Sequence, residues 1–198
     1  MHDLGRNEDR LRGTYEFPFE FHHIDSSHPR YVMSYHWHVE CEIMRVLQGT
    51  LTVTLDEKSF TAKAGDVIFV NSGVLHSGIP QDCIYQCIVF DMNMFLKFNS
   101  VCTEYMQKIS HQELLIYHHF TEKQPDIRRA VNSLFDSFWQ RKPGYELVVF
   151  GQFYHFFGLV FGNHYYLESL RKTRRDYKRI VQLKQVVEFI EKNYASPI

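Results

Sequence analysis

Residues 34–49, SYHWHVECEIMRVLQG, place two histidines and two glutamates at alternating positions: His36, His38, Glu40 and Glu42. On a β-strand, residues two apart lie on the same face at a separation of about 7 Å, so these side chains would point together. Imidazole nitrogen combined with carboxylate oxygen suits a divalent transition metal such as Zn, Ni, Mn or Fe. The exposed face of an edge strand has a similar composition, so this segment alone is a weak indication of a metal site.

The elements that would position these residues change character near residue 95. From about Tyr15 to Phe95, short β-type runs alternate with turn signals at Gln48-Gly49, residues 56–58, residues 64–66 and Ile79-Pro80. Turns about eight residues apart predict a compact antiparallel sandwich or barrel. The run 31–47 is expected to form one strand. The run 84–90, IYQCIVF, is apolar on both faces and is expected to be a central strand.

Beyond Phe95 the apolar residues recur with helical spacing. The segment 125–142 predicts a helix that begins at Pro125 and ends before Pro143-Gly144. Its predicted buried face is Ile127, Ala130, Val131, Leu134, Phe135, Phe138 and Trp139. A second helix, about 145–166, is apolar nearly all round and must be covered on two sides. We expect the barrel to cover one side and a second copy the other, giving a homodimer through helices at about 127–166, with burial inside one chain as the alternative.

Composition bounds the remaining possibilities. The chain has 22 basic and 23 acidic residues, so it lacks an overall signature of nucleic-acid binding. The N-terminus lacks the apolar core of a signal peptide, and the apolar stretch 147–162 carries Gln152 and His155, which argues against a membrane span. Cys41, Cys83, Cys87 and Cys102 match no zinc or redox spacing. We therefore expect reduced thiols in a cytoplasmic protein.

A second segment strengthens the metal hypothesis. Residues 64–78 read AGDVIFVNSGVLHSG, so the two segments give H-x-H-x3-E-x6-G followed by G-x5-N-x-G-x2-H. This pair resembles the motifs of the cupin superfamily, which implies a cupin-like antiparallel β-barrel (a double-stranded β-helix), with mainly β structure and added helices. The resemblance assigns His36, His38, Glu42 and His76 to the ligand positions. Arg30, Asn71 and Pro80 depart from the motif at turn positions, and Glu40 remains a rival carboxylate.

The longer pattern 36–78 resembles the sensory domain of AraC-type transcriptional regulators, in which a barrel precedes a helical pair, a linker and a DNA-binding domain. The resemblance implies an N-terminal arm at 1–16, an effector-binding barrel at 17–95 and a helical dimerisation region at 96–168. The segment 169–198 would be a basic linker and the first helix of a truncated DNA-binding domain. Residues 171–179, RKTRRDYKR, fit a solvated linker, and DNA would be bound only through the missing C-terminal domain.

The resemblance favours a sensor, without catalysis, whose barrel binds a small molecule, such as a sugar or similar polar metabolite. Its site would be His36, His38, Glu42 and His76, which either hold a metal ion or contact the effector directly. Arg45, Trp37 and Tyr35 are candidate further ligand contacts. The alternative is a metal-dependent cupin enzyme, a dioxygenase or isomerase, in which the same four residues hold a Lewis-acid or oxygen-binding centre.

Overall fold

Two long strands organise the sheet. The computed structural model describes residues 6–7, 12–97 and 101–168, with the single positions 182 and 186. The strands are β1 Arg6–Asn7, β2 Phe19–Ile24, β3 Met33–Trp37, β4 Cys41–Leu55, β5 Lys58–Lys63, β6 Val67–Val70, β7 His76–Phe90, β8 Leu114–Ile116, β9 His119–Phe120 and β10 Tyr166–Glu168. The helices are a 3-10 turn at Met92–Leu96, α1 Thr103–Ser110, α2 Pro125–Gln140 and α3 Tyr145–Gly162.

Strands β4 and β7 pair antiparallel along their whole length, and each also pairs with shorter strands. β7 pairs with β2 at one end and with β3 at the other, while β4 pairs with β6 and then with β5. Apart from the short parallel pair of β1 with β3, the eight-stranded sheet is antiparallel. The predicted fold class, a cupin-like barrel followed by helices, is confirmed, and β7 is the central strand that its two apolar faces predicted.

Three details of the strand prediction were wrong. The run 31–47 is interrupted at residues 38–40, because β7 lies between β3 and β4 in the sheet and the chain must leave one edge of β7 to rejoin the other. Neither Gln48-Gly49 nor Ile79-Pro80 ends a strand. Instead, β4 passes through an irregularity of register between Val46 and Thr50, and β7 continues through Pro80. Gly49 is required there, since its φ is +67° and a Cβ would clash with the carbonyl oxygen of Asp82.

The irregularity at Gln48 also changes which residues of β4 face the barrel interior. Before it, even-numbered residues such as Met44 and Val46 face the barrel interior, and after it odd-numbered residues such as Leu51 and Val53 do. An extra residue in one strand shifts the alternation of side chains between faces. The interior core therefore stays apolar from Met44 to Leu55 of β4, with Ile68, Val70 and Tyr85 contributed by β6 and β7.

The helices cover the outer face of the sheet. Ile43, Phe69 and Phe90 on that face pack with an aromatic cluster from α2 and α3, where Phe153 lies 4.5 Å from Phe90 between ring centroids. The helix predicted at 125–142 is confirmed, but Trp139 is 60% exposed instead of buried. It lies at the edge of the contact, where its ring meets that of His23 at 4.9 Å between centroids.

Helix α3 buries one side only. Val149, Phe153, Phe156, Phe157 and Val160 are buried. On the other side Leu147 is 80% exposed and Val148 is 45% exposed, and a Cβ added at Gly151 or Gly158 would meet no atom within 4 Å. None of the helices in the described part of the chain has the length and hydropathy needed to cross a membrane. The predicted linker and closing helix lie outside the described residues except at positions 182 and 186, as does the predicted arm except at 6–7 and 12–16.

Candidate metal and effector site

The four residues of the paired motifs meet inside the barrel. His36 lies on β3, His38 in the bend after it, Glu42 on β4 and His76 at the start of β7, directly opposite His36. One potential ligand atom from each lies within 4.8 Å of those of the other three. The ring centroid of His76 is 4.1 Å from that of His36 and 5.0 Å from that of His38. Residues 36–42 and residue 76, distant in sequence, therefore form one group, the His3Glu group.

Backbone carbonyls fix the tautomer of each histidine in the group. Nδ1 of His36 lies 2.9 Å from the carbonyl oxygen of Ser34, Nδ1 of His38 lies 3.1 Å from that of Glu40, and Nδ1 of His76 lies 2.8 Å from that of Val74. A carbonyl oxygen only accepts hydrogen bonds, so each Nδ1 carries a hydrogen and donates it. In the neutral imidazole, Nε2 then holds the lone pair. This is the arrangement in which metal-ligating histidines are held.

The lone pairs converge on a carboxylate. Oε2 of Glu42 lies 3.2 Å from Nε2 of His76 and 3.5 Å from Nε2 of His38, and both of these nitrogens are buried without a hydrogen-bond partner. Burial opposes ionisation of Glu42, but hydrogen bonds from His38 and His76 outweigh burial and hold the pKa of this carboxyl well below its usual range, and such bonds need a hydrogen on each Nε2. Lone pairs that face a carboxylate repel it unless a proton or a metal cation lies among them.

His36 favours the metal over the proton. Burial, and next the neighbouring His76, lower the pKa of His36 to about 4, so its imidazole is neutral and ready to coordinate at neutral pH. The two orphaned Nε2 atoms, the three fixed tautomers and the single carboxylate together fit a divalent ion. The His3Glu group could hold Zn, Ni, Mn or Fe, as the donor set predicted, and it does not select among them.

The structure also distinguishes the two glutamates. Glu42 belongs to the His3Glu group and lines the adjoining cavity, whereas Glu40 does neither. The carboxylate of Glu40 lies 3.7 Å from Nδ1 of His38, on the side of the ring that faces away from the group. The interruption of the strand at 38–40 causes this difference, because it ends the simple alternation on which the two carboxylates looked equivalent.

A cavity of about 60 Å³ opens above the His3Glu group. Its ionisable lining consists of Arg12, His22, His28 and Arg30 with His36, His38 and Glu42. The rest of the lining is Ile24, Met33, Tyr85, Cys87 and Val89. Burial, and next Glu42, raise the pKa of the Cys87 thiol well above its usual range, so it remains protonated. A larger polar groove of about 630 Å³ between α2 and the start of α3 contains none of the motif residues.

Three predicted ligand contacts do not line this cavity. Tyr35 is 38% exposed, Trp37 is buried, and neither is part of the cavity lining. Arg45 lies on the opposite face of β4, where its Nη2 is 2.8 Å from Asp136 and its Nε is 2.9 Å from Gln86. Its Nη1 donates to Asn132 at 3.2 Å, and its guanidinium lies 5.0 Å from the ring centroid of Phe135. Arg45 therefore joins the barrel to α2.

Sequence reasoning missed the other ionisable lining residues. Arg12, His22 and His28 lie outside both motifs and gave no signal, because only the folded barrel brings them to the cavity. Arg30 did give one, since it occupies the position at which the motif has glycine. Asn71, another departure, holds the barrel to β8: its side-chain amide donates to the carbonyl of Ile116 at 2.8 Å and accepts from the same residue's N–H at 3.0 Å.

An antiparallel barrel with three histidines and a glutamate at the base of an interior cavity defines a cupin-like ligand-binding protein. A family model described as the AraC-like ligand binding domain matches residues 18–147. That match covers most of the chain, which therefore belongs to this family.

Relatives of known sequence or structure match shorter stretches. An uncharacterized HTH-type transcriptional regulator, YdeC of Bacillus subtilis (strain 168), is 34% identical over 56 residues, which are 27% of this chain and 19% of that regulator. Oxalate decarboxylase of Bacillus subtilis is 25% identical over 30% of this chain and 18% of its own, with a TM-score of 0.28. KdgF from Halomonas sp. is 21% identical over 30% of this chain and 57% of its own, with a TM-score of 0.29. Overlaps this small give no basis for transferring an activity.

Proposed function

We propose that this chain is the effector-sensing and dimerisation domain of an AraC-type transcription factor, with a divalent metal held by the His3Glu group. A small polar metabolite, such as a sugar or a similar compound, would bind in the cavity above the metal. DNA would be bound by a separate domain of the whole protein, in the cytoplasm. The family match over residues 18–147 supports the regulatory role.

The observation that carries the site is the pair of buried, unpartnered Nε2 atoms on His38 and His76, which face the carboxylate of Glu42. Native proteins leave few buried polar atoms without partners, because each costs about 1–3 kcal/mol. A bound cation would satisfy both nitrogens and the carboxylate at once. Metal analysis of protein purified without chelators tests this: we expect close to one divalent ion per chain, and less than about a tenth of an equivalent would contradict it.

Dimerisation is supported by the outer side of α3. Leu147 and Val148 are exposed there, and the open space at Gly151 and Gly158 would let a second helix approach closely. The substitution Gly158→Arg enters open space within one chain, so it should preserve the fold and block the contact. Light scattering should give a dimer for the wild type and for Glu57→Arg, an exposed control on the β4–β5 turn, but a monomer for Gly158→Arg. A wild-type monomer at high concentration would contradict this part of the proposal.

The metal-ligand group favours one other candidate, the metal-dependent cupin enzyme, because such a group could act as a Lewis acid. The two functions differ in what happens to a bound molecule. A sensor releases its effector unchanged, and an enzyme does not. Mass spectrometry of the ligand after prolonged incubation with metal-loaded protein separates them, and we expect the ligand to be recovered intact.

A further inference from the structure

The cavity above the His3Glu group offers many hydrogen-bond donors and few acceptors. Among the lining residues that the structure describes, Glu42 is the only one with a carboxylate, and it already faces His38 and His76. The guanidinium groups of Arg12 and Arg30 are donors only. A ligand that complements this lining must therefore supply acceptors.

His28 adds to the donors, in contrast to the histidines of the His3Glu group. The backbone N–H of Arg30 donates to Nδ1 of His28 at 3.1 Å, so the neutral ring carries its hydrogen on Nε2. In the His3Glu group, carbonyl oxygens fix the opposite tautomer. The lining thus presents lone pairs at its base, where a cation fits, and N–H groups elsewhere.

The other polar lining groups face protein acceptors, and Nε2 of His22 lies 3.3 Å from a carboxylate oxygen of Glu20. The hydroxyl of Tyr85 donates to the carbonyl of Tyr31 at 3.2 Å, and the thiol of Cys87 is hydrogen-bonded to Glu42. A sugar would bring several hydroxyl donors, each of which needs an acceptor when it is buried. Apart from the His3Glu group, the lining side chains supply few acceptors, so a cavity whose His3Glu group holds a metal disfavours a polyhydroxylated ligand.

Charge and size narrow the ligand further. Arg12, which is buried and pairs with Glu20 at 2.7 Å, and Arg30, which is exposed, both bring a guanidinium group to the lining, and a bound metal would add positive charge. A cavity of about 60 Å³ holds about four to six non-hydrogen atoms, since one water needs about 10–15 Å³ measured in the same way. Arg30 also stands where the motif has glycine, so this chain carries a guanidinium at the mouth in place of a residue without a side chain.

We infer, given the proposed sensor function, that the effector is a small carboxylate and that Arg30 is the residue that selects its charge. Arginine suits this role because its planar N–H groups match the two oxygens of a carboxylate, whereas an isosteric amide presents only one oxygen. The ligand's carboxylate would be recognised by donors of this chain, and its other end would reach toward the His3Glu group.

The test compares acids with their amides of the same shape. Binding of acetate and glycolate is measured by titration calorimetry beside acetamide and glycolamide, with arabinose as a neutral sugar, on metal-loaded and on chelator-treated protein. We expect an acid to bind at least about tenfold more tightly than its amide, and Arg30→Gln to remove that preference. The same loss should appear without metal, because Arg30 is not a metal ligand. Arg129→Gln, an exposed arginine on α2, is the matched control and should retain the preference.

The outcomes separate this inference from the sensor function. Equal binding of acid and amide, or no binding of either acid at millimolar concentration, overturns the small carboxylate. Tighter binding of arabinose overturns it too, while leaving the sensor intact. An acid preference that Arg30→Gln retains overturns the role of Arg30. Conversion of glycolate during the titration would contradict the sensor instead.

Discussion

Two buried polar clusters lie on opposite faces of β4, and they differ in whether their hydrogen bonds are complete. On the helix side, Arg45 reaches Gln86, Asn132 and Asp136, and Gln86 continues to His23 at 2.9 Å. On the interior side, the His3Glu group leaves Nε2 of His38 and of His76 without partners. On β4, Glu42 of the His3Glu group and Arg45 of the other cluster are three residues apart.

This difference in hydrogen bonding indicates a different role for each cluster. A network whose hydrogen bonds are complete fixes the position of two elements relative to each other, and it leaves no polar atom to bind another group. An incomplete one, held by backbone carbonyls that orient each ring, could hold a metal ion that completes it. From the sequence, His38 was a motif ligand and Arg45 only a candidate further contact. Their partners in the folded chain distinguish them.

The largest effect is expected from a substitution in the His3Glu group, the cluster whose hydrogen bonds are incomplete. Glu42→Gln keeps the size of the side chain and removes its charge, so Zn²⁺ affinity measured by competition with a chromophoric chelator should fall by about 100-fold or more. Glu40→Gln is the matched control, because that carboxylate lies outside the His3Glu group, and it should bind Zn²⁺ like the wild type. Equal affinity in all three proteins would show that the group is not the metal site.

The next largest effect is a loss of stability, expected from a substitution in the Arg45 cluster. Arg45→Met should lower the free energy of unfolding by about 2–3 kcal/mol, because Gln86 loses a buried partner and α2 loses its link to β4. Zn²⁺ affinity should not change. Asp136→Asn should cost less, since that side chain is 55% exposed. A large loss of metal affinity in Arg45→Met, measured at a temperature where it is folded, would mean that the two clusters are not independent.

The smallest effect is a pH dependence of the metal-free protein. The pKa of His36 is lowered to about 4, from an ordinary value of 6.5, so the unfolded chain takes up a proton first as pH falls. The stability that His36 contributes is thus complete above about pH 6.5 and is lost as pH falls toward 4. Urea unfolding should show the wild type losing about 2 kcal/mol more than His36→Gln between pH 7.5 and pH 5. Parallel losses in both proteins would place the titrating group elsewhere.

Turn spacing left a sandwich or a barrel open, and the family resemblance implied the cupin-like barrel. Hydrophobic periodicity predicted helix α2 and the central position of β7, because apolar burial repeats with the period of each element. It failed at residues 38–40, at Gln48 and at Pro80, where long-range pairing with β7 decides the path of the chain and local sequence does not. Strands β8 and β9 were missed for a similar reason: they are three and two residues long and exist only as partners of other strands.

The members of the His3Glu group could be named from the sequence, but the residues around the group could not. The resemblance of two motifs to the cupin pattern named His36, His38, Glu42 and His76, and the structure brings these four together. Arg12 and His28 reach the cavity from segments without a motif, so only the folded chain reveals them. Arg45, a candidate further contact, does not line the cavity. Alternation on β4 says which residues share a face, but not that α2 covers the other face.

The backbone of β7 has the cavity on one face and the helices on the other. Tyr85, Cys87 and Val89 line the cavity, while Ile88 and Phe90 belong to the aromatic cluster under α2 and α3. Cys87 and its covalent neighbour Ile88 therefore lie on opposite faces of one backbone. Under the proposed sensor function, a ligand that shifts Cys87 would also shift Ile88 and so act on the helices through this one strand.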